Sequence, residues 1–312
     1  MTFRMPDPLF GALAVVAVVL VVATAGSSFS NPMRRRLHDA EIRVGIRMWW
    51  YLIGGFFLAL IVSRTLAVVA LGLVSFVAFK EFLTLAPTRR ADSKVLLWAY
   101  LTIPLQYIWT GTAWYGMFIV FIPVYVFLLL PMRMVLLGET RGFLRAVGVI
   151  HWGLMTTVFC VSHLAYLLVL PDLPGLKNSG VGLLFYLVVV THFNDAVQFL
   201  VNKRFARHAI LTGVRPGLSR EGLFAGIAMS ALAAIVLAPL YTPFTPMQAG
   251  AVGLMIGLFG FIGFVAITAV ERDLGVAESR DFLPGHGGLL LRLDSLMFTA
   301  PLFFHFVYYL YY

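Results

Sequence analysis

Residues 247–270, MQAGAVGLMIGLFGFIGFVAITAV, contain no charged side chain. A helix that crosses a bilayer needs about 20 apolar residues, more than an ordinary core helix supplies. The stretch therefore reads as a membrane span, and others flank it. Ten stretches qualify in all: 8–28, 49–63, 65–79, 95–110, 114–131, 149–170, 179–200, 222–241, 247–270 and 295–312. The second and third are short and read as a tight hairpin around Arg64. The first is longer than a signal-peptide apolar region and is followed by Arg34, Arg35 and Arg36, so a retained anchor is expected.

Composition agrees. Of 312 residues, 61% are hydrophobic and 12% charged, about half the charge of a soluble domain. These figures exclude a water-soluble globule, a disordered chain, a collagen and a coiled coil. The single cysteine, Cys160, rules out an intrachain disulfide and a Cys-rich metal site, and reads as a packing residue. The expected fold class is all-α: a polytopic integral membrane protein of about ten transmembrane helices.

The net charge of +9 would suggest a nucleic-acid partner in a soluble protein. In a membrane protein it marks the cytoplasmic loops, which are enriched in Lys and Arg. With residue 1 outside, 20 of the 23 Lys and Arg residues fall in inside loops. Only Arg4, Arg64 and Lys177 remain outside. Both termini are thus expected on the non-cytoplasmic side. No internal repeat is evident, which argues against a transporter, and several mid-span charges would be its mark. The expected organisation is an N-terminal anchor helix with a basic cytoplasmic segment (1–48), transmembrane support helices (49–178) and a catalytic transmembrane region (179–312).

Two inside segments differ from the rest. The first is Thr191-His-Phe-Asn-Asp-Ala-Val-Gln198 and its continuation from Asn202 to Gly222. The second holds Glu271-Arg272-Asp273-Leu274-Gly275, Pro284-Gly285-His286-Gly287-Gly288 and Arg292-Leu293-Asp294-Ser295. The topology puts both on one face, where they can meet in a cleft. Asp195 lies inside an apolar span, and a carboxylate there costs a few kcal/mol unless paired or metal-bound. Asp294, at the start of a span, reads on its own as a helix cap. The backbone N–H groups of the Pro-Gly-His-Gly-Gly run suit phosphate oxygens, or simply a flexible turn. His286 reads as an acid–base group, a phosphate donor or a solvated loop histidine. Lys203, Arg204, Arg207, His208, Arg215 and Arg220 mark a positive-inside loop, and such a loop also attracts anionic headgroups and nucleotide phosphates. His151, His163 and Glu139 are given no catalytic role.

Together the two segments resemble the phosphatidate cytidylyltransferase (CDP-diacylglycerol synthase) family. That family's signature joins a Ser/Asn-Asp at a helix end and a Ser-Pro-x-Lys-Thr-x-Glu-Gly loop to a Pro-Gly-His-Gly-Gly-x-x-Asp-Arg-x-Asp-Ser block. The counterparts here are Asn194-Asp195, Arg215-Pro216-Gly217-Leu218-Ser219-Arg220-Glu221-Gly222, and Pro284 to Ser295. Arg272 to Val276 and the Ser295-Leu-x-Phe-x-Ala-Pro301 stretch also match. Arg47-Met48-Trp49-Trp50, Phe79-Lys80-Glu81-Phe82 and Ser162-His163-Leu164-Ala165 look like a divergent bacterial branch of the same family.

The resemblance implies a reaction between CTP and phosphatidic acid, or a related lipid phosphate, that yields CDP-diacylglycerol and pyrophosphate. It implies Mg2+, with room for a second cation, held by Asp195 and Asp294 as catalytic residues. Substrate contacts are implied for Asn194, Lys203, Arg207, Arg215, Ser219, Glu221, Arg272, Gly285, His286, Gly287, Gly288, Arg292 and Ser295. The lipid would enter sideways from the bilayer, so membrane lipids are partners, nucleic acid is not, and homodimerisation is left open. The implied location is the inner (plasma) membrane with the site on its cytoplasmic face.

The chain departs from the pattern at several positions. Leu291 replaces an Asp, Leu218 a Lys, Asn202 and Ala206 glycines, and Glu271 a Lys; Ala277-Glu278 stands for Lys-Asp. Positions 291 and 294 share a helix face, so a carboxylate beside the expected metal is lost. Arg215, Arg220 or Arg280 are candidates to stand in for the lysine, and Glu271, Glu278 or Asp281 for the carboxylate. The alternative is a catalytically impaired homologue that binds lipid, nucleotide or a partner enzyme without transfer. On this reading Leu291→Asp and Leu218→Lys are expected to raise activity.

Overall fold

The computed structural model describes residues 59–60, 62–86, 93–138, 140–275 and 288–312. Span 8–28, the segment 1–48, nearly all of span 49–63, and Gly285, His286 and Gly287 lie outside the described residues.

Among the described residues the chain is helical, with one isolated antiparallel bridge between Ala209 and Ser219. The helices are α1 (Arg64–Leu85), α2 (Ser93–Gly111), α3 (Tyr115–Val135), α4 (Phe143–Val169), α5 (Ser179–Phe205), α6 (Arg220–Tyr241), α7 (Pro246–Asp273) and α8 (Leu290–Tyr311). All except α2 are long and apolar enough to cross a membrane, seven in total. Leu73, Leu128, Phe224 and Val236 project from their flanks into the surroundings. A soluble protein does not expose apolar side chains all round its helices. Lipid is the solvent for these faces, and the chain is an integral membrane protein.

Local chemistry sets several helix ends. Ser63 caps α1 by accepting the Leu66 N–H, and Ser219 caps α6 by accepting the Gly222 N–H. Thr245 and Gln248 form a reciprocal capping box at α7, with Pro246 in the first turn. These caps satisfy amides that have no partner within the helix. Pro104, Pro131, Pro239 and Pro301 lie inside helices, a placement that membrane helices tolerate. Two helices contain a wide turn, Phe121–Val126 in α3 and Met155–Cys160 in α4. In the latter Thr156 and Thr157 donate to the carbonyls of Trp152 and Gly153.

The C-terminal four helices form one bundle: α6 packs on α5 and α7, and α8 packs on α7, α5 and α4. Glycines bring α7 close to its neighbours. A Cβ on Gly257 would lie 2.7 Å from Ile227 Cα of α6, and one on Gly263 would lie 2.6 Å from the Asp294 carbonyl oxygen of α8. Tyr186, Phe303 and Phe304 fill the centre, and Tyr186 donates from its hydroxyl to the Ala234 carbonyl at 3.1 Å. The helices alternate in direction, so the end of α5, the start of α6, the end of α7 and the start of α8 share one end of the bundle. At the opposite end, Arg64 pairs with Asp172 (3.1 Å) and with Asn178 (2.9 Å).

Candidate functional site

Asp195 and Asp294 come together. Asp195 is on α5, which runs on past it to Phe205, and Asp294 is one turn into α8. Ser295 joins them: its hydroxyl donates to Asp195 Oδ1 at 2.9 Å, and its N–H donates to Asp294 Oδ1 at 2.6 Å. Asp294 is therefore not the cap of its helix. It is 6% exposed, while the Asp195 side chain keeps a third of its surface open and faces His192 Nδ1 at 3.6 Å.

A shelf of buried amides supports Asp195. Asn194 is fully buried and points Nδ2 toward Asp195 Oδ1 at 3.5 Å, the limit of a hydrogen bond. Its Oδ1 accepts from Gln198 Nε2 at 3.0 Å. Asn194 fits because Gly260 of α7 has no side chain; a Cβ there would meet Asn194 Nδ2 at 3.2 Å. The charge of buried Glu271, near the end of α7, also reaches Asp294.

Several carboxylates in a half-buried place repel one another and favour a cation among them. The donors are hard oxygens of the kind Mg2+ takes, so Asp195 and Asp294 fit the expected ion by chemistry. Among the described residues no group of three or more His, Cys, Asp and Glu side chains is arranged to hold a metal ion. The described residues would thus provide only part of a coordination shell.

A second group of expected residues gathers in the 206–219 loop. Glu221 accepts the N–H groups of Arg207 (3.3 Å) and His208 (3.2 Å) and pairs with His208 Nδ1 at 2.5 Å. Ser219 gives both its N–H (3.0 Å) and its hydroxyl (2.7 Å) to Asn202 Oδ1. Glu221 and Ser219 thus hold the loop in shape. The Arg215 guanidinium lies over the Phe264 ring, 4.8 Å from its centre, and Arg272 donates to the Val214 carbonyl at 3.2 Å. These two contacts fasten the loop to α7. Lys203 lies over Phe199, 5.9 Å from the ring centre, at the exposed end of α5. Arg292 is half-buried in the first turn of α8.

Gly288 faces Glu81 of α1, whose Oε2 accepts the N–H groups of Leu289 (2.8 Å) and Leu290 (3.3 Å). This end of α8, which the glycine run suggested as a phosphate cradle, carries a carboxylate at those two amides. Glu81, Asn202 and Gln198 are the structural partners that the sequence reading gave no site role. Asn202 was visible as a departure from the family pattern, but its partner was not.

The sequence matches the profile of the Cytidylyltransferase family over residues 43–310. It is 38% identical over 297 residues to the uncharacterized protein YnbB of Escherichia coli (strain K12), covering 95% of this chain and 97% of that one. It is 26% identical over 208 residues to the phosphatidate cytidylyltransferase of Bacillus subtilis (strain 168), covering 66% and 74% of the two chains. With the phosphatidate cytidylyltransferase of Staphylococcus epidermidis (strain ATCC 12228 / FDA PCI 1200) it shares 23% over 154 residues, 49% of this chain and 59% of that one.

Proposed function

Because this chain belongs to the cytidylyltransferase family, we propose that it joins CTP to phosphatidate, or to a related lipid phosphate, within the membrane. A lipid phosphate oxygen attacks the α-phosphorus of CTP, the bond to the β-phosphate breaks, and CDP-diacylglycerol and pyrophosphate result. The observation that supports this most is the meeting of Asp195 and Asp294 through Ser295, which draws two carboxylates from distant segments into one place.

Phosphoryl transfer asks a protein mainly for positioning and for neutralising charge. Asp195 and Asp294 would hold a Mg2+ ion, whose charge lowers the cost of bringing two phosphates together. Asn194 and Ser295 orient Asp195. Lys203, Arg207, Arg215 and Arg272 give their end of the bundle a positive field that draws in anionic nucleotide and headgroup. The lipid keeps its acyl chains in the bilayer and offers its phosphate from the side. On this reading the helices from residue 179 onward carry the chemistry, in the inner membrane, with the site on the cytoplasmic face.

The test is CDP-lipid formation from labelled CTP, Mg2+ and phosphatidate by the purified protein in detergent, against Asp195→Asn. Product that disappears in the variant supports the enzyme. Background product together with retained CTP binding points instead to the impaired homologue.

A further inference from the structure

Each of α1, α6 and α7 starts on a side chain that closes its own first turn: Ser63, Ser219 and Thr245. Helix α8 starts on Leu289, which has no polar atom in its side chain and makes no side-chain cap. Its first amides still need acceptors, since a buried N–H without a partner is costly. The acceptor comes from another helix. Glu81, near the end of α1, accepts the N–H groups of Leu289 and Leu290 with one oxygen. A negative side chain at this spot also suits the positive end of the helix dipole. The fit is close: a Cβ on Gly288 would overlap the Glu81 carboxylate, which would have to swing away from the two amides.

The helix held in this way carries Asp294 and Ser295 one turn further on. Ser295 hydrogen-bonds to both aspartates and so links them. A shift of the first turn of α8 would therefore move Asp294 and slacken the bond to Asp195 together. We infer that Glu81 is a positioning residue for the reaction: it caps α8 from α1 and so fixes where Asp294 and Ser295 stand relative to Asp195. This gives α1, otherwise a supporting helix, a specific part in the site, and it rests on the proposed transferase reading.

The test compares full-length wild type, Glu81→Ala, Glu81→Gln, Gly288→Ala and the Glu81→Ala/Gly288→Ala double variant, all in detergent. Amide hydrogen exchange over 288–296 gives a readout that needs no activity. CDP-lipid kinetics give the second. In Glu81→Ala the Leu289 and Leu290 amides should exchange faster, and kcat should fall about a hundredfold, as for a catalytic group displaced by about 1 Å, while the KM for CTP changes little. Glu81→Gln, which keeps one acceptor oxygen, should recover part of both. Gly288→Ala should resemble Glu81→Ala, and the double variant should be no worse than Glu81→Ala, because the collision partner is gone.

Unchanged exchange in Glu81→Ala overturns the cap. Faster exchange with unchanged kcat overturns the positioning role. Additive losses in the double variant overturn the contact between 81 and 288. If Glu81→Ala does not fold, Gly288→Ala, which displaces the same carboxylate, decides the same points. If wild type makes no CDP-lipid, the transferase reading fails, and the exchange data still decide whether Glu81 caps α8.

Discussion

The Ser295 hydroxyl of α8 and the Asp195 carboxylate of α5 lie 2.9 Å apart across a hundred positions of sequence. The same residue's N–H holds Asp294. One serine thus sets the relation of two carboxylates that belong to different helices. A site built this way loses its geometry when the serine goes, even with both acids present.

Ser295→Ala should lower CDP-lipid turnover about tenfold, the value of roughly one hydrogen bond to a charged group. Asp195→Asn and Asp294→Asn should each lower it by about a hundredfold or more, since each removes charge where phosphates gather. Labelled-product assays on protein matched for folded fraction give the comparison. Equal activity in Ser295→Ala and wild type would contradict the bridging role.

At Gly263 of α7 a methyl group has nowhere to go, for Asp294 O and Phe298 Cβ would lie 2.6 and 3.0 Å from it. Gly263→Ala should destabilise the bundle by about 1–3 kcal/mol, as overpacking does. It should also reduce turnover, because the residue it pushes is Asp294. Thermal unfolding in detergent and the transferase assay read the two effects separately.

Removing the amide at 202 leaves two donors of Ser219 without their acceptor. Asn202→Ala should cost about 1–2 kcal/mol and expose the 206–219 loop to limited proteolysis. If the loop stays as resistant as in wild type, Asn202 is not what holds it.

Sequence comparison suggested that a lysine at 218 would raise activity. The structure revises this, because Leu218 is 6% exposed and its backbone pairs with Ile210 in the folded loop. Leu218→Lys buries an ammonium group where almost no surface is open, at a cost of about 2 kcal/mol. The expected result is a midpoint lower by on the order of 5 °C, with no gain in turnover. Leu291, half-buried on the first turn of α8, is the position where restoring a carboxylate remains expected to help.

The apolar runs located the described helices well, because the bilayer requires long apolar stretches whatever their partners. Helix ends were less legible. Helix α5 continues through Asn202, Lys203 and Arg204, and α8 begins at Leu290, before the polar Arg292 and Asp294. Hydropathy stops at the first charges, whereas backbone hydrogen bonding propagates through them. Both carboxylates could be nominated because acids are scarce in such a chain and the motif blocks are distinctive. Their bridge could not: the motif offered Ser295 as a substrate contact, and nothing in the sequence ties it to Asp195 a hundred positions away. Glu81 was equally hidden: 208 positions separate it from the amide it accepts.

The glycines of α7 have a wider consequence. Where Gly257 and Gly263 abut neighbouring helices, main chain rests almost on main chain, and no rotamer can widen or narrow that seam. The spacing of α7 from α6 on one side and from α8 on the other is thereby insulated from drift in the side chains around it. A methyl group added to this face would have to displace whole helices, since backbone has no rotamer to turn aside.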